Sequence, residues 1–529
     1  MAPYATKDAA ADDAPVTTII RPASIDSEDE QLAAMGYKPE MKREFTWFAI
    51  VSFAFSVTGI LAGAMATFYT PLAAGGPVAL IWAWFWGSFG CLCIGLSVAE
   101  LVSAYPTDGG LYYTVKHVVP SSWVPLMGWI VGWMNLLGQI ACSASVDFAL
   151  ASQITATAAL GSDYAYGAPN SHTVAVMMGC LLVHGTLNSL PTKYLARLSS
   201  LYTIVNVGGI FAAIIALLVT CKDKNSASFV FTHFESSSGW SNNGISFCIG
   251  LLAVAWTMTD YDATAHITEE TAHANVRAPI AIIIAVVLTA VLGWALLIVL
   301  VFCMGTDIAG LLEAPSGLPV ALIYRRNLGK GGALTMMVLT ILVQNATCMV
   351  CMQSCARTIF ALSRDGMLPF SRVWSTVNRW SQTPVHAVWL ICALAALLGL
   401  LDLASYYAAE AIFSVTSIAL DWSYVIPVLC KVIFAGKIPY QPGPIHFGRL
   451  SMPINLAAFC WVAFVSVILC FPQSVPVEKQ TMNYSSVVFV GWLILASGYW
   501  FYRQGQSSPY QGPGAKAGLL GVVSPSHSD

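Results

Sequence analysis

AWTMTDYDATAHITEE, residues 255–270, opens in an apolar run, sets Asp260 and Asp262 either side of Tyr261 and ends in paired glutamates. Upstream lies ISFCIGLLAVAW (245–256) and downstream APIAIIIAVVLTAVLGWALLIVLVF (278–302), both apolar enough for a bilayer. An ionised carboxylate at the centre of a bilayer costs about 3 kcal/mol on insertion scales. An unbroken helix would leave both aspartates dry, whereas a broken one leaves free N–H and C=O groups around a wet cavity. The segment therefore predicts an interrupted helix at membrane depth.

The rest of the chain agrees. Its 529 residues are 57% hydrophobic and 10% charged, with a mean hydropathy of +0.68, whereas soluble domains are about a quarter charged. Apolar windows near the length of a spanning helix recur, giving about twelve spans. They fall near 46–69, 77–104, 123–156, 172–190, 197–220, 245–273, 278–304, 333–362, 384–402, 407–434, 452–471 and 484–502. The fold class predicted is all-α and polytopic. Residues 1–44 and 504–529 read as disordered cytosolic tails around one membrane domain, 45–503. The first 30 residues contain no apolar core of a cleavable secretory signal.

Several function classes are excluded. The net charge of −3 comes without a basic block, so no nucleic-acid partner is expected. There is no GxxxxGK[ST] motif for ATP and no ladder of arginines for voltage sensing. An enzyme needs a nucleophile–base set, and His184, His266 and His386 have no partners evident in the sequence. The fourteen cysteines lie mostly in apolar windows and read as small buried hydrophobes, including Cys348, Cys351 and Cys355 on one helix face. His266, Glu270 and His273 have metal-like spacing but not the order of a metal motif, so no metal or other cofactor is predicted. Glu269 and Glu270 are expected to meet bases from inner loops.

Lys and Arg concentrate in alternate loops, which places both termini in the cytosol by the positive-inside rule. Asn483-Tyr-Ser then falls outside as a glycosylation sequon, while Asn345-Ala-Thr lies within a span.

Span one, FAIVSFAFSVTGILAGAMATFY (48–69), carries Ser56, Thr58, Gly59 and Gly63 at its middle, the place where span six carries its aspartates. Five spans separate the two, so 46–220 and 245–434 read as one unit written twice, with extra helices at 452–502. Interrupted helices at matching places in two halves point to a midplane site in a secondary transporter. Asp262 is placed either to cap the second half-helix, to meet a substrate ammonium or to accept a proton. Asp147 and Asp421 lie deep in spans three and ten, either as packing polar groups or on a proton or substrate path; Glu100 ends span two within reach of a base.

GGPVALIWAWFWGSFGCLCIGLSVAELVSAYP (75–106), GYKPEMKREF (36–45), GGLYY (109–113), GWMNLLGQIACSASVDFAL (132–150), YDATAHITEET (261–271) and LSRDGMLPF (362–370) together resemble one family. It is the amino acid/choline transporter family of the amino acid–polyamine–organocation superfamily, in particular its fungal permeases for GABA, choline and related amines. The resemblance implies a five-plus-five inverted repeat with two extra helices. It also implies a substrate carboxylate on the amides of Thr58, Gly59, Ile60, Leu61, Ala62 and Gly63. The amine would lie near the carbonyls of Ala255, Trp256, Thr257 and Met258, with Tyr261 and Asp262. Two departures, Asp260 where the family usually has glycine and Asp421 where it has an uncharged residue, add negative charge and favour a more cationic amine. Trp256, Trp422 and Tyr261 offer aromatic faces to an ammonium.

The expectation is therefore a secondary, proton-coupled transporter of an amine-bearing solute, with membrane lipid and protons as its other partners. The plasma membrane is expected, with a vacuolar or other internal membrane as the alternative. A carrier of a basic-nitrogen secondary metabolite and a nutrient sensor on the same fold remain the other readings. Asp260, lacking a cap and following an apolar run, is expected to carry the coupled proton, with Asp262 ionised and facing the amine; Asp147 and Asp421 are the further proton candidates.

Overall fold

The computed structural model describes residues 32–515 apart from 34, 38–39, 168, 404–405, 479–481 and 508. Among these, the regular elements are helices, and ten are long and apolar enough to cross a membrane. Helix α1 is split into α1a (Trp47–Thr58) and α1b (Ile60–Thr67). The chain reverses at Gly75-Gly76, where Gly76 has φ +60°, and α2 follows at 77–104 through a π turn at Ala79–Ala83. Then come α3 (Val124–Gly161), α4 (Asn170–Asn188), α5 (Thr192–Thr220), α6a (Leu252–Thr257), α6b (Tyr261–Glu270) and α7 (Ala274–Cys303). The element Pro319–Arg364 is broken at Gly329 (φ +70°), so the spanning helix α8 is 330–364. Helices α9 (Val385–Gly399), α10 (Tyr406–Ile433), α11 (Ser451–Leu469) and α12 (Ser485–Gln504) complete the body. Helix α4, less apolar, and α9, only 15 residues long, fill the fourth and ninth places and bring the predicted twelve together.

Packing repeats between the halves. Helix α3 lies along α10 and α8, and the pair α5–α8 matches α3–α10 when the halves are exchanged. The same exchange carries α1a–α7 onto α6a–α2, and α3–α4 onto α8–α9. An odd number of crossings per half makes the repeat inverted. Helices α11 and α12 sit outside it, against α10, α2 and α3.

Both interruptions have a local cause. Gly59 adopts φ +42°, ψ +52°, closing α1a and opening α1b; a left-handed residue costs nothing sterically only when it is glycine. Its carbonyl takes the amides of Ala62 (2.9 Å) and Gly63 (2.8 Å). At the second break Asp260 takes φ +64°, ψ +38°, a region that Asp and Asn enter more readily than other side chains. The turns after it are 3-10 rather than α, and no side chain caps them. Asp262 does not cap α6b; its carboxylate is used elsewhere.

The tails fold onto the face where α1a begins and α8 ends. Asp365 accepts from the hydroxyls of Tyr37 (2.9 Å) and Tyr112 (3.0 Å) and from the Gly514 amide (3.1 Å). Tyr112 also meets the Tyr510 hydroxyl at 2.7 Å, and the Arg364 guanidinium lies 3.7 Å from the Tyr37 ring centroid. Burial pushes the Asp365 carboxyl above its ordinary range, against the pull of Arg364 and its three donors. Order therefore extends into the expected tails, to Leu32 at one end and Gly514 at the other; the acidic stretch Asp8–Glu30 and residues 516–529 lie outside the described residues. On the opposite face Arg325 and Lys330 pair with Asp163, and the Asn483 amide donates to the carbonyls of Leu469 (2.8 Å) and Phe471 (3.0 Å).

The two glycines of α1 separate two kinds of constraint. A Cβ on Gly63 would strike Thr257 Cγ2, at 2.6 Å, whereas one on Gly59 would strike the Thr347 hydroxyl in a left-handed backbone. Thr257→Ala should therefore restore folded protein to Gly63→Ala, but Thr347→Ala should not restore Gly59→Ala, where about 1–2 kcal/mol of backbone strain remains. Monodisperse yield on gel filtration reads both. Removing the Asp365 acceptor strands the buried Tyr37 hydroxyl and Gly514 amide, on the order of 3 kcal/mol, while Tyr112 keeps Tyr510. Asp365→Ala should expose both termini to limited proteolysis while leaving the membrane body intact.

Candidate functional site

The two breaks face one another across a closed cavity. Val57, Thr58, Gly59 and Gly63 line it from α1, Trp256, Thr257, Thr259 and Asp260 from α6, Cys142 and Val146 from α3, and Gln344 and Thr347 from α8. Its volume is near 10 Å³, room for about one water molecule. The α1b N-terminus brings partial positive charge, since the first amides of a helix have no partner within it and Gly59 offers no side-chain cap. Asp260, 2% exposed, brings a carboxyl group. The Gln139 amide donates to Asp260 Oδ1 at 2.6 Å. Asp260 Oδ2 and the hydroxyls of Thr257 and Thr259 have no hydrogen-bond partner. Buried polar atoms are normally paired, so these are groups that a polar ligand would satisfy.

The site residues expected from the sequence divide into three sets. Thr58, Gly59, Gly63, Trp256, Thr257 and Asp260 line the cavity. Ile60, Leu61 and Ala62 form the first turn of α1b without lining the cavity, while Met258 closes α6a with its sulfur near the Ser88 hydroxyl (3.5 Å). Tyr261 and Asp262 are buried away from the cavity. Tyr261 packs edge-on against Tyr424. Asp262 accepts from the Tyr424 hydroxyl (2.6 Å), the Asn135 amide (2.9 Å) and His266 Nε2 (3.0 Å), whose Nδ1 reaches the Asp108 carbonyl (2.9 Å). Asp147 turns toward α4, where His184 Nδ1 lies 2.7 Å from its Oδ1. Asp421 is buried with Oδ1 unpartnered, and Trp422 packs on Phe459, both apart from the cavity lining.

Sequence reasoning missed Val57, Cys142, Val146, Thr259, Gln344 and Thr347. The signal was present in α3: Asn135, Gln139, Cys142 and Val146 follow a four-three-four spacing, one helical face, and meet Asp262, Asp260 and the cavity in turn. Asp147 lies off that face, which is why it meets α4 instead.

Both ends of the cavity are shut. Trp256 packs on Phe413 with centroids 4.6 Å apart, and beyond Phe413 a second cavity of about 40 Å³ is lined by Thr67, Thr70, Ser152, Leu318 and Gln473. On the side of the termini Glu269 forms a two-point pair with Arg364 (3.0 and 2.9 Å), and Glu270 pairs with Arg357 at 2.8 Å. Arg364, at the end of α8, is among the inner-side bases expected for this pair, whereas Arg357 comes from within the helix. The Asp108 and Glu269 side chains each accept the other's backbone amide (2.8 and 3.2 Å), and Glu100 binds Lys431 at 2.8 Å.

A cavity at paired helix breaks in an inverted repeat is a carrier's arrangement, and comparison with known proteins agrees. Residues 45–494 match the amino acid permease family. An uncharacterized amino-acid permease of Schizosaccharomyces pombe is 47% identical, covering 92% of this chain and 89% of its own. Amino-acid permease 2 of Neurospora crassa is 40% identical over 93% of this chain and 90% of its own, and amino-acid permease BAT1 of Arabidopsis thaliana 34% identical over 90% and 95%. The chain belongs to the amino acid permease family, as an integral multi-pass membrane transporter and not an enzyme.

Proposed function

We propose that the chain carries an amino acid with a second, cationic nitrogen by alternating access coupled to protons. The observation behind this reading is the pairing of a helix N-terminus and an acidic side chain in the lining of one small cavity: the α1b start, without a side-chain cap, and Asp260, whose Oδ2 is unpaired as are the Thr257 and Thr259 hydroxyls. A carboxylate suits the helix terminus and an ammonium suits Asp260. Choline fits less well because it has no anionic group, and GABA because it leaves no second nitrogen for the added charge. Trp256 supplies an apolar wall and, with Phe413, the gate on one side; the Glu269–Arg364 and Glu270–Arg357 pairs form the gate on the other. Asp260, Asp147 and Asp421 remain the carboxylates available for protons, and only Asp260 borders the cavity. A threonine-lined pocket with one carboxyl group also supports the exclusion of acidic amino acids.

In this reading Asp260 holds the amine, the role expected from the sequence for Asp262, and Asp262 positions α6b. Asp260→Asn should raise the KM for lysine or arginine about 10- to 100-fold, the loss of one charge-assisted hydrogen bond, with a smaller change for alanine. Asp262→Asn should instead lower thermal stability and folded yield. Equal KM changes for cationic and neutral substrates in Asp260→Asn would overturn the assignment, and an uptake current without acidification in proteoliposomes would overturn proton coupling. The face bearing the termini, with Lys42, Arg43, Lys116 and Arg277, is assigned to the cytosol of a cell whose plasma membrane holds the protein. A C-terminal tag should therefore resist protease in sealed right-side-out vesicles.

A further inference from the structure

Beside the cavity two thiols come within reach of Asp260. Cys142 on α3 and Cys351 on α8 place their sulfurs 3.6 Å apart, and a ligand oxygen of Asp260 lies within 4.8 Å of both. All three residues are buried, with 3%, 1% and 2% of their surface exposed. Two thiolates on one tetrahedral ion at ~2.3 Å would stand about 3.8 Å apart, so the sulfurs are already at ligand separation. A second observation points to a ligand here. Asp260 Oδ2 and the adjacent Gln139 Oε1 are buried oxygens without hydrogen-bond partners, and both belong to side chains joined by the 2.6 Å bond between Gln139 and Asp260.

We infer that Cys142, Cys351 and Asp260 form a binding site for a thiophilic divalent cation such as Zn²⁺ or Cd²⁺, with Gln139 Oε1 or a water as fourth ligand. The set combines two soft ligands and one carboxylate, which suits zinc-like ions and excludes Mg²⁺ and Ca²⁺. Binding replaces the two S–H bonds with S–metal bonds and releases two protons to solvent; no redox change is involved. The cavity lined by Cys142 and Asp260 gives the ion the substrate's own route of access. The ion would join α6 to α3 and α8 and so hold the break of α6 against the helices around it. Inhibition of transport follows, resting on the alternating-access reading; binding itself does not. The Cys348 and Cys355 thiols of the same helix stay outside this set.

The test uses the full-length protein purified in detergent and CdCl₂ as the probe. Thiolate-to-cadmium absorption should saturate at one ion per chain, with two protons released. Cys142→Ala and Cys351→Ala should each weaken binding about 100-fold, and Asp260→Asn about tenfold, in line with the loss of one ligand from a small set. Cys351→Ser, which keeps the shape of the side chain, supplies the same readout should the alanine variant fold poorly. Cys348→Ala should bind as the unaltered protein does. In proteoliposomes Cd²⁺ should block amino-acid uptake by the unaltered protein and spare Cys351→Ala. Absence of stoichiometric binding, its persistence in both cysteine variants, or its loss in Cys348→Ala overturns the site. Stoichiometric binding without any effect on uptake leaves the metal site standing and counts against alternating access through this cavity.

Discussion

The Asp262 carboxylate takes hydrogen bonds from α3, α10 and its own α6b at once, through Asn135, Tyr424 and His266. In a body surrounded by lipid, a buried carboxylate needs donors in place of water, and any motion that withdraws them is opposed by the desolvation of the charge. That requirement pins the short 3-10 half-helix against both scaffold helices. Through His266 it also reaches the Asp108 carbonyl, so the loop after α2 is fixed by the same group. Asp260 comes two residues earlier, on the other side of Tyr261, and inherits its position at the cavity from this anchor.

The two closures of the cavity differ in kind. Toward the opposite face two aromatic rings meet, a contact that needs only a rotation to part. Toward the termini, buried ion pairs join α6b to α8, and behind them both tails converge on Asp365. Parting a buried pair would leave charges to be rehydrated, which parting two rings would not. Because Asp365 follows Arg364 directly, the tails and the Glu269 pair are joined through two consecutive residues of one helix end.

Much of this was legible in the sequence because membrane helices are constrained strongly. Apolar length gave the spans, glycine and aspartate clusters gave both breaks, and the spacing between the breaks gave the repeat. What was not legible depended on rotation about helix axes over long distances. Nothing near Asp147 names His184, 37 residues away, and nothing in TEE names Arg357, within the helix, as a partner in place of a loop base. Asp260 and Asp262 share a segment and meet neighbouring positions on one face of α3, Gln139 and Asn135, yet only Asp260 lines the cavity. That difference has no periodicity that hydropathy can reveal. The contacts of Tyr37, Tyr510 and Gly514 were hidden for a related reason: the composition around them matches a solvated tail, and their partners lie in the body.

The backbone at residue 260 limits what evolution can place there. A φ of +64° is comfortable for glycine and tolerable for asparagine and aspartate, and few other side chains enter it. Those three residues span no side chain, a neutral amide and a full negative charge. One backbone turn can thus be kept while the polarity of the cavity lining at this position is changed by a single codon, with no rebuilding of the fold.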